Sequence, residues 1–260
     1  PLSVGVFVSS RNDQCFDNGI VPAILQLTKA EQDRINAEGG VLRRQIKVHI
    51  FDDQRDQKKT IANIKEALAQ PSMIAMIGLS NSALAKGAFE AAGNDISASK
   101  IPFLSDISVN SIFAKYPTVY SMRPSQDEER VPAMQAFMNA RGIERPAFVG
   151  IKGSVFSTSL GDGLAGGGVK LVADYRLELQ GDDLDPATID STIADLKKRD
   201  ADLIVLGVGG QRTAAWLAAL QAAGVTPPVF VTGRIDSIFR EGAPEYPGDI
   251  FQLGWDDLPD

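Results

Sequence analysis

Few residues in this sequence have the types and spacings that covalent chemistry needs. His49 is the only histidine and Cys15 the only cysteine. Zinc sites built on several histidines, any Ser-His-Asp set lacking His49, and an intrachain disulfide are thereby excluded. No G-x-S-x-G elbow presents a nucleophile, and no nucleophile–base pair or metal cluster is visible, so the sequence does not read as an enzyme's and implies neither a cofactor nor a metal. Gly161-Asp162-Gly163-Leu164-Ala165-Gly166 fits G-x-G-x-x-G, but a dinucleotide fingerprint follows its strand directly, and this one lies about ten residues further on. A helix end and turn is the better reading. Gly207-Val208-Gly209-Gly210-Gln211-Arg212 does follow a strand and open a helix. Its sixth position is arginine, so it is either a place where Gln211 or Arg212 meets a ligand or simply turn geometry. Asp52-Asp53 resembles a carboxylate pair, yet neighbours on a strand face opposite sides, and a loop or hinge role fits better. Asp182-Asp183-Leu184-Asp185 lacks the glycine and distal glutamate of a calcium loop and reads as a solvated turn. What remains is the chemistry of recognition: hydroxyls, amides and arginines near strand ends.

The elements that must position them alternate along the chain. Ser3–Val8, Ile46–Phe51, Ile74–Ile77 and Pro102–Leu104 read as strands. Between them lie helical patterns over Gly19–Ala37, stopped by Gly39-Gly40, over Lys59–Ala69, and from Ser82 onward. A second series follows: strands at Pro146–Ile151, Val169–Leu177, Leu203–Leu206 and Val229–Val231, with helices at Ser157–Gly166, Thr188–Lys198 and Ala214–Ala223. Strands alternating with helices predict an α/β fold of parallel sheets covered on both faces. Two series predict two Rossmann-like lobes. The expected division is lobe 1 over 1–121 and lobe 2 over 122–248, joined in the polar stretch Tyr120–Glu128, with 249–260 returning to lobe 1 as another extended crossing. His49 alternates with Val48 and Ile50 and reads as an ordinary strand histidine. Trp255 fits hinge packing or a cleft wall equally.

Composition bounds the partners. The chain has 260 residues, 44% of them hydrophobic, and a net charge of −7. A phosphate-binding surface needs clustered cations, and none gather beyond Lys197–Arg199, so nucleic acid is not an expected partner. No apolar run approaches the roughly 20 residues of a membrane span. The chain starts at Pro1 with no charged-then-apolar leader, so it reads as a processed or trimmed product from which any export signal would already be gone.

Several stretches together resemble type I periplasmic binding proteins of the Leu/Ile/Val-binding family, the extracellular ligand-binding receptors of ABC transporters. They are Arg34–Asp53 (RINAEGGVLRRQIKVHIFDD) with Asp56 and Lys58, Met76–Ser82 (MIGLSNS), Ile101–Ser105 (IPFLS), Ser121–Ser125 (SMRPS) and Asp190–Gly207 (DSTIADLKKRDADLIVLG). The NAEGG…FDD block is the more specific part. The resemblance implies two lobes linked by hinge crossings, closing like a Venus flytrap over a small solute, without catalysis. It also implies a periplasmic or extracellular location, a removed signal peptide and a membrane permease as partner. Family members add further strands and helices after the third crossing, so on this resemblance the chain is a fragment or completes lobe 1 differently.

The resemblance carries site residues over unevenly. Ser82 matches the family's serine at a helix start, and Ser105 with Ile107, Ser108 and Val109 matches the loop after the next strand, which offers an N–H and a hydroxyl to a carboxylate. Ser82 and Ser108 have a second reading as helix N-caps. Phe156 takes the place of a family tyrosine, keeping the ring without the hydroxyl. A second family tyrosine falls within Gly207–Gly210. The family's acidic partner for an amino group aligns near Arg234, with Asp236 two residues on. Arginine there would repel an ammonium and attract a second acidic group. Arg11 and Arg212 sit at comparable strand ends. The family's disulfide positions are Arg55 and Asn81 here. The expected ligand is thus a small carboxylate-bearing or amino-acid-like solute bound by Ser82, Ser105, Ile107, Ser108, Phe156, Gln211, Arg212, Arg234 and Asp236. The alternative is a sensor or regulatory domain of the same fold.

Overall fold

The computed structural model describes residues 1–10, 20–181, 183–232 and 246–252. The chain divides into two units, Pro1–Ser125 and Gln126–Asp260, within the polar stretch Tyr120–Glu128. Among the described residues no helix is long and apolar enough to cross a membrane.

In the first unit, strand β1 (Leu2–Val8) leads through α1 (Ile20–Ala37) to β2 (Ile46–Asp52). Then follow α2 (Gln57–Leu68), β3 (Met73–Gly78), α3 (Ser82–Ser99), β4 (Phe103–Ser105) and β5 (Val119–Ser121). The strands form one parallel sheet in the order β2-β1-β3-β4-β5. Local chemistry starts each helix. Asp56 caps α2 by accepting from the Lys59 amide, and Asn81 caps α3 by accepting from the Ala83 and Leu84 amides. The core on the α3 side is aromatic: Phe7 stacks on Phe51 at 5.0 Å, and Phe103 meets Phe7 and, edge-on, Phe89 of α3. Gly78 ends β3 at a φ of +128°, where a Cβ would stand 2.2 Å from the Phe7 carbonyl oxygen. Only glycine permits that close approach of β3 to β1.

The second unit repeats the topology. A π turn at Gln126–Arg130 runs into α4 (Val131–Arg141), followed by β6 (Pro146–Ile151), α5 (Val155–Gly166), β7 (Ala173–Leu177) and α6 (Pro186–Lys198). The remaining elements are β8 (Leu203–Gly207), α7 (Gly210–Ala222), β9 (Val229–Val231) and β10 (Ile250–Gln252). All pair in parallel in the order β7-β6-β8-β9-β10. Alternation along the strands feeds two cores. Ala147, Val149, Ile151, Ile204 and Leu206 point toward α6 and α7, with Trp216 and Leu217 buried there. Phe148, Leu203, Val205 and Phe230 point the other way, onto Met134 and Met138 of α4 and Leu160 of α5. That two-sided burial is why these strands read as unbroken apolar runs.

The expected fold class, α/β with parallel sheets flanked by helices, is the observed one. Differences are local. Helix α4 is not among the expected elements, although Val131, Met134 and Met138 form its buried stripe. Residues 169–172 are not strand: the Val169 amide closes the end of α5 on the Leu164 carbonyl at 3.0 Å, and β7 starts only at Ala173, where β6 runs beside it. Helix α7 begins a turn earlier than expected, at Gly210. Ile250–Gln252, expected to belong to a return to lobe 1, is the edge strand of the second sheet, because its backbone pairs with Val229–Val231. Residues 253–260, including Trp255, lie outside the described residues.

The G-x-G-x-x-G at 161–166 lies inside α5, as the plainer reading held. Its first glycine serves packing. A Cβ at Gly150, Gly161 or Gly207 would come within 2.6, 2.7 or 2.8 Å of the Phe148 ring, and the Arg176 guanidinium covers that ring at 4.9 Å. Three glycines thus make the slot for one fully buried phenylalanine. Gly150→Ala should destabilise the protein by about 1–3 kcal/mol through overpacking, seen as a lower urea midpoint with an unchanged m-value.

Candidate functional site

Both sheets have the strand order 2-1-3-4-5 when counted within each unit, which places a topological switch point between β1 and β3 and another between β6 and β8. Ligands of open parallel sheets bind outside the carboxyl ends of strands at such points. The loops leaving these ends are the candidate site, and in each unit they are tied down by side chains.

In the first unit, the loops after β1 and β2 are held by the Asp52-Asp53 pair. Asp52 accepts from the Ser10 amide at 3.0 Å, from the Ser10 hydroxyl and from the Gln54 amide at 3.0 Å. Asp53, 1% exposed, accepts from the Arg55 amide at 2.8 Å and the Thr60 hydroxyl at 3.1 Å. Both carboxylates therefore tie the loop after β1, through Ser9 and Ser10, to the turn after β2, through Gln54 and Arg55, which is the loop role expected of them. Burial pushes the Asp53 carboxyl above its ordinary value, against donors from Ser9, Arg55 and Thr60. At Asp52 burial acts in the same sense, but the Ser10 and Gln54 donors outweigh it and the carboxyl lies below its ordinary value. His49 is a satisfied strand residue, its Nε2 3.2 Å from the Ser3 hydroxyl.

The loop after β4 carries three of the expected residues. Ser105 ends the strand, fully buried, and its hydroxyl has no hydrogen-bond partner among the described residues. Ile107 and Ser108 are buried too, at 2% and 4% exposure. The loop is fixed on three sides. The Asp106 amide donates to the Gly78 carbonyl at 3.0 Å, Arg123 grips the Asp106 carboxylate with Nε and Nη2, and the Ser121 hydroxyl reaches the Ile107 carbonyl at 2.6 Å. Neither serine is a helix cap. Asn81 caps α3, so half-buried Ser82 is the first helical residue, and the 3₁₀ turn at Asn110–Ile112 follows Val109. Asn81 thereby finds a capping role at one position where the family resemblance pointed to a cysteine.

In the second unit Phe156 lies in the first turn of α5, whose cap is Ser154. It is half-buried against the α4–α5 core, with the Arg130 guanidinium 5.9 Å from its ring centroid. The Gln126 side-chain amide donates to the Phe156 carbonyl at 3.4 Å, and the Gln126 side-chain oxygen, fully buried, has no partner among the described residues. Gln211 and Arg212 occupy the first turn of α7 after Gly209, whose φ of +74° favours glycine; Arg212 is half-buried, and the Gln211 side chain lies outside the described part. The Ser157 hydroxyl donates to the Gly207 carbonyl and the Thr232 hydroxyl to the Leu206 carbonyl at 2.8 Å, fixing the ends of β8 and β9. Arg234, Asp236 and Arg11 lie outside the described residues. Asp185 is the cap of α6, accepting from the Thr188 amide and hydroxyl.

Within the first unit the structure brings Ser105, Ile107 and Ser108 together on one loop, with Ser82 at the neighbouring strand end. Within the second it puts Phe156 after β6 and Gln211 and Arg212 after β8. Sequence reasoning missed Asp106, Ser121 and Arg123, which shape the β4 loop, and Gln126 and Arg130 beside Phe156. The last two stand four residues apart in the turn entering α4, a spacing that puts them on one face.

The chain matches the profile of the periplasmic binding protein family over residues 22–251 and belongs to that family. Solved structures share its fold. An ABC transporter substrate-binding protein from Desulfitobacterium hafniense, solved with Leu, superposes with a TM-score of 0.70 at 17% identity, over 91% of this chain and 68% of its own. The branched-chain amino acid transporter substrate-binding protein LivJ from Streptococcus pneumoniae, in complex with isoleucine, gives 0.69 at 16% identity, over 91% and 64%. A solute-binding protein of an ABC transporter from R. palustris, in complex with 4-hydroxybenzoate, gives 0.64 at 20% identity, over 89% and 61%. The chain thus spans about two thirds of the length of the structures it matches. A comparison with curated protein sequences finds no match.

The raised Asp53 carboxyl has a consequence for stability. A group whose folded value lies above its unfolded value contributes stability that is present at acid pH and lost as pH rises through the raised value. The stability of the wild type relative to Asp53→Asn should therefore decline over that rise, measured by urea unfolding at a series of pH values.

Proposed function

We propose that this protein binds a small carboxylate-bearing or amino-acid-like solute and delivers it to the membrane permease of an ABC transporter, in the periplasm or outside the cell, without catalysing a reaction. The carboxyl edges of its two sheets supply the contacts: Ser82, Ser105, Ile107 and Ser108 from the first unit, and Phe156, Gln211 and Arg212 from the second, with Arg234 and Asp236 from the segment after β9. The observation that carries this reading is that every expected residue among those described lies at a strand's carboxyl end or in the loop or first helical turn that follows it, in a chain of the periplasmic binding protein family. The β4 loop supports it further. Its geometry is fixed by Arg123, Ser121 and the Gly78 carbonyl before any ligand arrives, which limits the ordering cost of binding.

The ligands in the solved neighbours, Leu, isoleucine and 4-hydroxybenzoate, all carry a carboxylate, which suits hydroxyls and amides at strand ends and helix starts. Differential scanning fluorimetry against amino acids, mono- and dicarboxylates, aromatic acids and amides tests the reading. A ligand at 100 times its Kd adds about 2.7 kcal/mol, a rise in Tm of roughly 5–10 °C. Stabilisation by none of these compounds would overturn it. Ser105 offers a separate check. A buried hydroxyl with no partner, as Ser105 has none among the described residues, costs about 1–3 kcal/mol, so Ser105→Ala should leave the ligand-free protein as stable or more so while weakening ligand binding. Lower ligand-free stability with unchanged affinity would remove Ser105 from the site.

A further inference from the structure

Consecutive residues at the end of β5 hold consecutive residues of the loop after β4. The Met122 amide donates to the Ser105 carbonyl at 2.9 Å. Arg123 takes the Asp106 carboxylate with Nε and Nη2, the second at 3.0 Å. The Ser121 hydroxyl lies 2.6 Å from the Ile107 carbonyl oxygen. Ser105, Asp106 and Ile107 are each fastened to the stretch 121–123, and Ser108 follows directly. The chain then leaves the first unit, with only Pro124 and Ser125 between Arg123 and Gln126, where the second unit begins. Pro124 fixes its own φ and steers Arg123 away from helical backbone, so this path has little slack. Ser121 is the pivot of the clamp. Its hydroxyl also lies 2.7 Å from the Arg123 carbonyl oxygen, and it accepts from the Arg123 amide at 2.9 Å. A hydroxyl has one proton to give, so the Ile107 and Arg123 carbonyls compete for it. Donation to Ile107 holds the loop; donation to Arg123 closes a turn within the connecting stretch and lets the loop go. The Arg123 and Asp106 side chains are 38% and 30% exposed. An ion pair so placed adds little to global stability, and its effect is on the order of the loop itself.

We propose that Ser121 and the Asp106–Arg123 pair are positioning residues of the candidate site. They set the order of Ser105, Ile107 and Ser108, and they couple that order to the stretch of chain that enters the second unit. The inference rests on the solute-binding reading above and adds to it a route by which occupation of the β4 loop reaches residues 121–125. Such a coupling is reciprocal, so whatever orders that stretch also favours binding at the loop.

Hydrogen exchange of the full chain, followed by mass spectrometry, tests it on the wild type, Ser121→Ala, Ser121→Thr and Asp106→Asn. Each protein is compared ligand-free and with L-leucine, L-isoleucine or 4-hydroxybenzoate added. Without ligand, Ser121→Ala and Asp106→Asn should speed exchange in both 103–109 and 119–125 while Tm barely moves. Ser121→Thr, which keeps the hydroxyl, should behave as the wild type. A compound that binds the wild type should slow exchange in both segments. By isothermal titration, Ser121→Ala and Asp106→Asn should bind that compound about 3- to 10-fold more weakly, the loss of one hydrogen-bonded contact. Protection confined to 103–109, or wild-type affinity in both variants, overturns the positioning role and leaves the solute-binding reading intact. Binding of none of the three compounds speaks against that reading, and the ligand-free comparison then decides the clamp alone: faster exchange in only one of the two segments, or in neither, overturns it.

Discussion

Parallel pairing of β1 with β3, and of β6 with β8, is the constraint from which the remaining architecture follows. A parallel neighbour can be reached only by a crossover, and a crossover helix covers a sheet face. Once β2 and β7 are placed on one side and the later strands on the other, the chain must reverse its direction of winding at β1/β3 and β6/β8. Every βα loop then leaves from the same edge. In the first unit the junction is tight enough that Gly78 admits no side chain against the Phe7 carbonyl. In the second, Gly150, Gly161 and Gly207 make room for the buried Phe148 ring beside the corresponding junction.

The loops at those edges are held by groups that do different work from the candidate contacts. Asp52, Asp53, Asp106, Ser121, Ser157 and Thr232 spend their hydrogen-bonding capacity on neighbouring backbone and side chains. Ser105 and Gln126, both fully buried, each keep one polar atom unpartnered among the described residues. Buried polar groups without partners are costly and uncommon, and strained or unsatisfied positions concentrate at functional places. Such atoms also occur away from the strand ends, at Asn63 in α2 and Trp216 in the α7 core, so Ser105 and Gln126 stand out by their place beside the candidate loops.

Charge is distributed unevenly between surface and edge. A net charge of −7 belongs to the chain as a whole, and much of the visible ion pairing is peripheral, such as Arg34 with Glu31 and Glu38 on α1 and Lys152 with Glu178. Such exposed pairs add little to stability. Arg123 pairs instead with Asp106 in the loop after β4, where the pair shapes the carboxyl edge of the first sheet.

The sequence by itself determined the element order and the fold class, because apolar runs such as Leu203–Leu206 and periodic stripes such as Ile189, Ile193 and Leu196 are local patterns that burial on two faces requires. Its resemblance to the periplasmic binding proteins pointed to Ser105, Ile107, Ser108 and Phe156, because motifs such as IPFLS are contiguous in the chain. It was silent where the answer depends on what comes alongside. The residues after α5 carry the apolar pattern of a strand, and the short stripe of α4 borders a polar, proline-containing segment that hides it. Whether Ser82 or Asn81 caps α3 turned on which side chain reaches the Ala83 and Leu84 amides. Only the tertiary structure could bring Arg123 to Asp106, or Arg130 to Phe156, across 17 and 26 residues of chain. Contacts of that kind are decided by sheet order and helix docking, and no local pattern encodes them.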